Sequence, residues 1–163
     1  MSGPGEVVLR SHRPGDIGWV IHRHGALYAA EYGWDISFEA LVARIGADFI
    51  DNFDPARHCC RIAERDGRIV GAAFVVDAGD RVAKLRMVYV EPSERGTGLG
   101  RRLVESGMAF ARDAGYTRMT LWTNDVLVPA RKLYERLGFA LVAAEPVPAF
   151  GKPLVSEAWA RDL

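Results

Sequence analysis

Between Val82 and Ala114 an alternating segment runs through Glu91-Pro92 into the loop Arg95-Gly96-Thr97-Gly98-Leu99-Gly100, and from there into helical periodicity. Leu85, Met87 and Tyr89 alternate with Lys84, Arg86 and Val88, which predicts a strand over 82–90 with each set on its own face. The helix is expected from about Leu99 to Ala114, with Gly115 placed to end it. A strand that feeds a helix through a glycine-rich turn forces that helix to pack back onto a sheet. It also builds a particular kind of end. Glycines let backbone N–H groups approach a ligand closely. The first helical N–H groups have no intrahelical partner and sit at the positive end of the helix dipole, which suits a pyrophosphate. Arg95, Arg101 and Arg102 add positive charge.

Glycine loops are common, and two nucleotide-binding patterns are excluded here. A G-x-G-x-x-G fingerprint begun at Gly96 needs glycine at Arg101, and one begun at Gly98 needs it at Leu103. No G-K-[ST] follows. Taken alone, the loop is also compatible with a tight strand–helix turn that holds no ligand.

The rest of the chain supplies the layers. Val7-Val8-Leu9 reads as a short strand, and the recurrence of Ile17, Val20, Ile21, His24 and Tyr28 as a helix to about Glu31. After Gly33-Trp34-Asp35, Ser37 is the expected N-cap of a second helix striped by Phe38, Leu41, Val42, Ile45 and Phe49. Strands are expected over 58–64 and 68–76, joined by the turn Asp66-Gly67, and these with 82–90 must be antiparallel neighbours. Met119–Trp122 reads as a strand. Pro129 opens a helix carrying Leu133 and Leu137, with Gly138 beyond its end. Phe139–Ala143 and 154–159 close the chain as strands. The order β-α-α-β-β-β-α-β-α-β-β is an α+β architecture with a mixed sheet. Without a repeat or long linker, it implies one domain over residues 1–163.

Composition narrows the partners. Lys+Arg and Asp+Glu are both 21, so the net charge is zero, which argues against nucleic acid or an anionic membrane as the main partner. The start of the chain lacks a signal-peptide pattern and the longest apolar run, Ile69–Val76, is too short to span a bilayer, so a cytoplasmic location is expected. Cys59 and Cys60 are adjacent, hence on opposite faces of a strand and unable to bridge. The histidines have no metal-ligand spacing. A homodimer is the base-rate expectation for an oligomer.

Val90-Glu91-Pro92-Ser93-Glu94-Arg95-Gly96-Thr97-Gly98-Leu99-Gly100 resembles V-x-P-x-x-[QR]-x-x-G-x-[GA] of the GCN5-related N-acetyltransferase (GNAT) family, and Ala130-Arg131-Lys132-Leu133-Tyr134-Glu135-Arg136-Leu137-Gly138-Phe139 resembles its later A-x-x-L-Y-x-x-x-G-F. The element order fits that family over nearly the whole chain. The resemblance implies acetyl-CoA as donor, with Arg95, Gly96, Thr97, Gly98, Leu99, Gly100 and Arg101 around the pyrophosphate. It implies that the backbone of Val88, Tyr89 and Val90 pairs with the pantetheine arm, and that Tyr134 gives a proton to the departing thiolate.

The chain departs from the family pattern near the chemistry. Trp122 stands where some members have a carboxylate, and Leu127 where many have asparagine. Asn124 is the nearest substitute for the asparagine, as a coenzyme contact. Glu31, Asp125 and Glu157 are the candidate bases. For the acceptor, the cluster Tyr28, Glu31, Tyr32 and Trp34 suggests a carboxylate among aromatics, suited to a cationic amine. With Leu121–Asn124 it also resembles acetyltransferase domains fused to MarR-type regulators. The expected function is N-acetylation of a primary amine on a small molecule such as an amino acid. The alternatives are acetylation of a protein lysine or N-terminus, or acetyl-CoA sensing without turnover.

Overall fold

A computed structural model describes residues 5–163. The elements run β1 (Val8–Ser11), α1 (Asp16–Tyr32), α2 (Ile36–Asp51), β2 (Cys59–Arg65), β3 (Arg68–Asp77), β4 (Val82–Val90), α3 (Leu99–Asp113), β5 (Arg118–Asn124), α4 (Val128–Arg136), β6 (Ala140–Pro146) and β7 (Val155–Asp162), with a 3-10 turn at Pro92–Glu94. This is the order expected from the sequence. The seven strands form one sheet, ordered β1-β2-β3-β4-β5-β7-β6. Only β4 and β5 are parallel; the other neighbours are antiparallel. Among the described residues, no helix is long and apolar enough to cross a membrane.

The sheet is covered on both faces. On one, α3 lays Leu103, Val104, Met108 and Ala111 against Cys59, Ala73, Val75, Ala83 and Leu85. On the other, Ile17 and Val20 of α1 and Phe49 of α2 pack on Cys60, Ile62, Ala72, Phe74 and Tyr89. The adjacent cysteines are thus split between two cores, as the pleat requires, and both are free and buried. A third cluster, Trp34, Phe38, Val42 and Leu154, joins α2 to the end of the sheet. Helices α1 and α2 approach closely at Gly46, where a Cβ would lie 2.8 Å from Ile21.

Two local expectations are corrected. The cap of α2 is Asp35, not Ser37: Asp35 is extended (φ −81°, ψ 179°) and its carboxylate accepts the Ser37 N–H at 2.9 Å. The carboxylate therefore captures an orphan N–H of the first turn, directly ahead of the apolar stripe that begins at Phe38. The second correction is in β4. Ala72 pairs with Tyr89 and Phe74 with Arg86, so Met87 and Val88 together oppose the single Ala73. This is a β-bulge, with Met87 in the left-handed region at φ 50°. One extra residue flips every later side chain to the other face. Leu85 faces α3, whereas Met87 and Tyr89 face α1; Lys84 and Arg86 share that α1–α2 side, and Val88 and Val90 cross to the α3 side.

Candidate active site

The site is a split in the sheet. The parallel β4–β5 ladder runs only from Val82↔Arg118 to Leu85↔Leu121. Beyond it β4 continues to Val90 and β5 to Asn124 without pairing to each other. The bulge at Met87 bends β4 where the ladder ends, which gives the divergence a local cause. Two cavities occupy the opening.

The outer one is a groove of about 600 Å³ between the end of β4, the glycine loop, α4 and the end of α1. Val88, Tyr89, Val90, Arg95, Gly96, Gly98, Leu99, Gly100 and Arg101 all line it. Gly96 and Gly98 have φ of 78° and 84°, a conformation only glycine adopts without strain. No side chain caps α3, and its first turn holds no acidic residue. The earliest i→i−4 bond is from Arg102 N–H to Gly98 O, so the N–H groups of Leu99, Gly100 and Arg101 have no helical acceptor. The loop's own carboxylate, Glu94, is buried and accepts from Arg65 Nε and Nη2, each at 2.9 Å. Thr97 differs from its neighbours. Its hydroxyl donates to Glu94 O at 2.6 Å, and it lines a separate surface depression with Gly5, Arg65 and Arg102.

The inner cavity, about 140 Å³, lies between β4, β5 and the two N-terminal helices. Its wall includes Tyr28, Trp34, Phe38, Leu41, Val42 and Ile45 on the helix side and Lys84, Arg86, Trp122 and Asn124 on the sheet side. Tyr28, Val88, Leu127, Ala130 and Tyr134 line both cavities and form the passage between them. Tyr134 is held there from α4, edge-to-face with Phe139 at 5.9 Å. Its burial pushes the phenol up to about 12, so it is protonated at neutral pH.

The four acceptor candidates separate. Tyr28 and Trp34 line the inner cavity, whereas Glu31 and Tyr32 line the outer groove. Glu31 is ion-paired to Arg95 across the groove mouth. Asn124 is almost completely buried at the end of β5, lines the inner cavity rather than the groove, and leaves its Nδ2 without a partner. The other candidate bases are engaged as well. Asp125 accepts the Val155 N–H at 2.9 Å, and buried Glu157 accepts from Arg131 at 2.8 Å and from the Trp159 indole at 3.1 Å. No carboxylate lines the inner cavity. The expected acid-among-aromatics for a cationic amine is therefore not what the fold assembles there. Trp122 turns its indole N–H to Ser156 Oγ. Among the described residues, no group of three or more His, Cys, Asp and Glu is arranged to hold a metal.

Sequence reasoning missed Lys84, Arg86 and His24. The strand alternation placed Lys84 and Arg86 on one face, but only the helices packed there show that this face is a cavity. His24 is buried with Nδ1 2.9 Å from Val20 O. A carbonyl only accepts, so Nδ1 carries the proton and Nε2 does not. Desolvation pushes this imidazole down to about 4, which keeps it neutral.

Comparison with known proteins fits this geometry. Residues 21–139 match the family model described as the acetyltransferase (GNAT) family. A mycothiol acetyltransferase of Thermomonospora curvata is 34% identical over 146 residues, covering 87% of this chain and 47% of the relative. An uncharacterized N-acetyltransferase of Schizosaccharomyces pombe is 31% identical over 115 residues, covering 69% of each. The chain spans about half the length, or less, of the mycothiol acetyltransferases it matches. In solved structures the fold recurs in a GNAT-family acetyltransferase of Staphylococcus aureus (TM-score 0.78, 14% identity, 96% of this chain and 99% of that one). It recurs too in a Salmonella typhimurium putative acetyltransferase with its cofactor acetyl-CoA (TM-score 0.74, 22% identity, 96% and 93%). A split mixed sheet with an uncapped glycine-loop helix at its opening, matched by the family model over most of the chain, places this chain in the GNAT acetyltransferase family.

Proposed function

We propose that this chain transfers an acetyl group from acetyl-CoA to the primary amine of a small molecule, with Tyr134 as general acid and residues 1–163 acting as one domain. The observation that carries this reading is the passage: an anion-ready groove and an aromatic-walled cavity meet at the buried, protonated Tyr134.

The groove fits the donor. Its free N–H groups at Leu99, Gly100 and Arg101, with the Arg95 and Arg101 side chains at its rim, suit phosphates. The β4 edge from Val88 to Val90, unpaired toward β5, offers backbone hydrogen bonds to an extended amide-bearing arm. Bound acetyl-CoA would supply the thioester. Tyr134 would give its proton to the sulfur as the carbon–sulfur bond breaks and the carbon–nitrogen bond forms, and the proton shed by the acylated nitrogen would restore the phenol, directly or through water. The apolar wall of Phe38, Leu41, Val42 and Ile45 disfavours an ammonium ion, so an acceptor held there is shifted toward the neutral amine that attacks. This gives a route to deprotonation that needs no carboxylate at Trp122.

The small volume of the inner cavity, about 140 Å³, and its aromatic wall of Tyr28, Trp34 and Phe38 favour a small acceptor over a protein chain. The relatives named as mycothiol acetyltransferases support a small-molecule acceptor in the same sense. The test is thiol release from acetyl-CoA across panels of small amines, amino acids and peptides. Turnover confined to small amines supports the proposal. Turnover only on peptides, or coenzyme binding with no turnover on any acceptor, overturns it.

A further inference from the structure

We infer that Lys84 and Arg86 form an anion subsite that clamps a carboxylate of the acceptor, so that the acceptor carries its amine and a carboxylate together, as an amino acid does. The amine half of this statement rests on the acetyltransferase reading above. The anion subsite stands on the cavity alone.

Three observations lead to it. First, Lys84 and Arg86 are two residues apart on one strand, on the same face and about 6.6 Å apart along it, and both line the inner cavity. Second, both are partly buried, yet neither lies within 4 Å of a carboxylate among the described residues. Every other partly buried arginine has a partner: Arg10 has Asp16 and Glu64, Arg23 has Glu91, Arg65 has Glu94, Arg118 has Asp162 and Arg131 has Glu157, while Arg61 donates to Ser106 Oγ and Arg161 to the Leu137 and Asp162 carbonyls. Burial pushes both the Lys84 ammonium and the Arg86 guanidinium down, and the only acid acting on either is the more remote Asp48, on Arg86. An unpaired cation in a partly dry cavity is costly, and an incoming anion removes that cost. Third, Asn124 adds a buried, unpartnered Nδ2 donor to the same cavity, which has no acidic residue in its wall.

The polar side of the cavity is therefore built from donors. A cationic amine alone finds no counter-charge there, whereas a carboxylate finds two cations and an amide donor. The same two cations lower the pKa of a nearby ammonium group, so they also favour the neutral form of the amine attached to that carboxylate. Opposite them, Phe38, Leu41, Val42 and Ile45 offer an apolar wall to the rest of the acceptor.

The test is calorimetric titration of the full chain, with coenzyme A present, using N-acetyl-leucine and N-acetyl-leucinamide. These product-like probes differ only in the carboxylate. The parent should bind the acid at least about tenfold more tightly than the amide. The double variant Lys84→Gln/Arg86→Gln should lose that preference while keeping its affinity for the amide. Lys84→Arg and Arg86→Lys, which keep the charge, should retain most of it. Equal affinity for acid and amide in the parent, a preference that survives in the double variant, or binding of neither probe would each overturn the subsite. Acetyl-CoA titrated separately reports on the acetyltransferase reading: absent coenzyme binding with an intact acid preference would remove that reading and leave the anion subsite standing.

Discussion

Glu31, at the end of α1, is ion-paired to Arg95 of the glycine loop, and the pair spans the mouth of the groove whose opposite wall is α4. Arg95 is half exposed, so the bond is modest, and an arriving phosphate competes with Glu31 for the same guanidinium. Glu31→Gln should therefore strengthen acetyl-CoA binding by about two- to fivefold at low salt, less at high salt. Isothermal titration at two ionic strengths measures this, and weaker binding in the variant would show that Glu31 instead orders the loop for the coenzyme.

Gly98 has φ 84° with open space around the position of a Cβ. A side chain there meets no protein atom, so the penalty comes from the backbone and from what the groove holds. Gly98→Ala should cost about 1 kcal/mol in the stability of the loop conformation. Gly98→Val should weaken coenzyme binding by about tenfold, because a β-branched residue resists this conformation more strongly. Unchanged affinity in both variants would make the loop a turn and no more.

Tyr134 is tested by separating binding from turnover. Tyr134→Phe should keep the coenzyme dissociation constant within about twofold while lowering kcat by about a hundredfold. Burial holds the phenol at about 12, so the parent should show no loss of activity from its ionisation between about pH 8 and about pH 10. A kcat close to the parent's would leave Tyr134 as a packing residue beside Phe139.

His24 gives a stability prediction with a definite sign. Its folded-state pKa is pushed down to about 4, against about 6.5 when unfolded. Between those values the unfolded chain binds more protons, so stability rises with pH. The contribution is fully present above about pH 6.5 and is lost as pH falls through about 4, amounting to about 3 kcal/mol. Urea midpoints measured down this range should fall in the parent and fall less in His24→Phe. Parallel curves for the two proteins would assign the acid sensitivity to another group.

Met87 tests the bulge. At φ 50° a β-branched residue is strained, so Met87→Val should destabilise by about 1–2 kcal/mol more than Met87→Leu. Denaturant unfolding of both variants measures the difference. Equal midpoints would mean that the strand can reset its register at no cost.

Much of the donor side was legible along the chain. Arg95 to Arg101 are contiguous, and a strand–loop–helix junction is local, so nine of the ten residues expected from Val88–Val90 and Arg95–Arg101 line the groove. Thr97 escaped because its hydroxyl turns back to Glu94 O, a choice made by one local hydrogen bond. The acceptor side was less legible. Tyr28 and Glu31 are close in sequence, but Glu31 is drawn to Arg95, sixty-four positions away, while Tyr28 reaches into the inner cavity.

By itself the sequence determined the element order, the division of Cys59 from Cys60, and the anion-ready start of α3, because periodicity, pleat and helix ends are set by neighbouring residues. The tertiary structure alone decided that β4 and β5 part after Leu85 and Leu121. It alone decided that the bulge at Met87 turns Tyr89 away from the face of Leu85, and that Lys84 and Arg86 look into a cavity roofed by α2. Those outcomes depend on pairing between distant strands. A one-residue shift in that pairing exchanges the two faces of a strand, and a pattern read along one strand does not contain it.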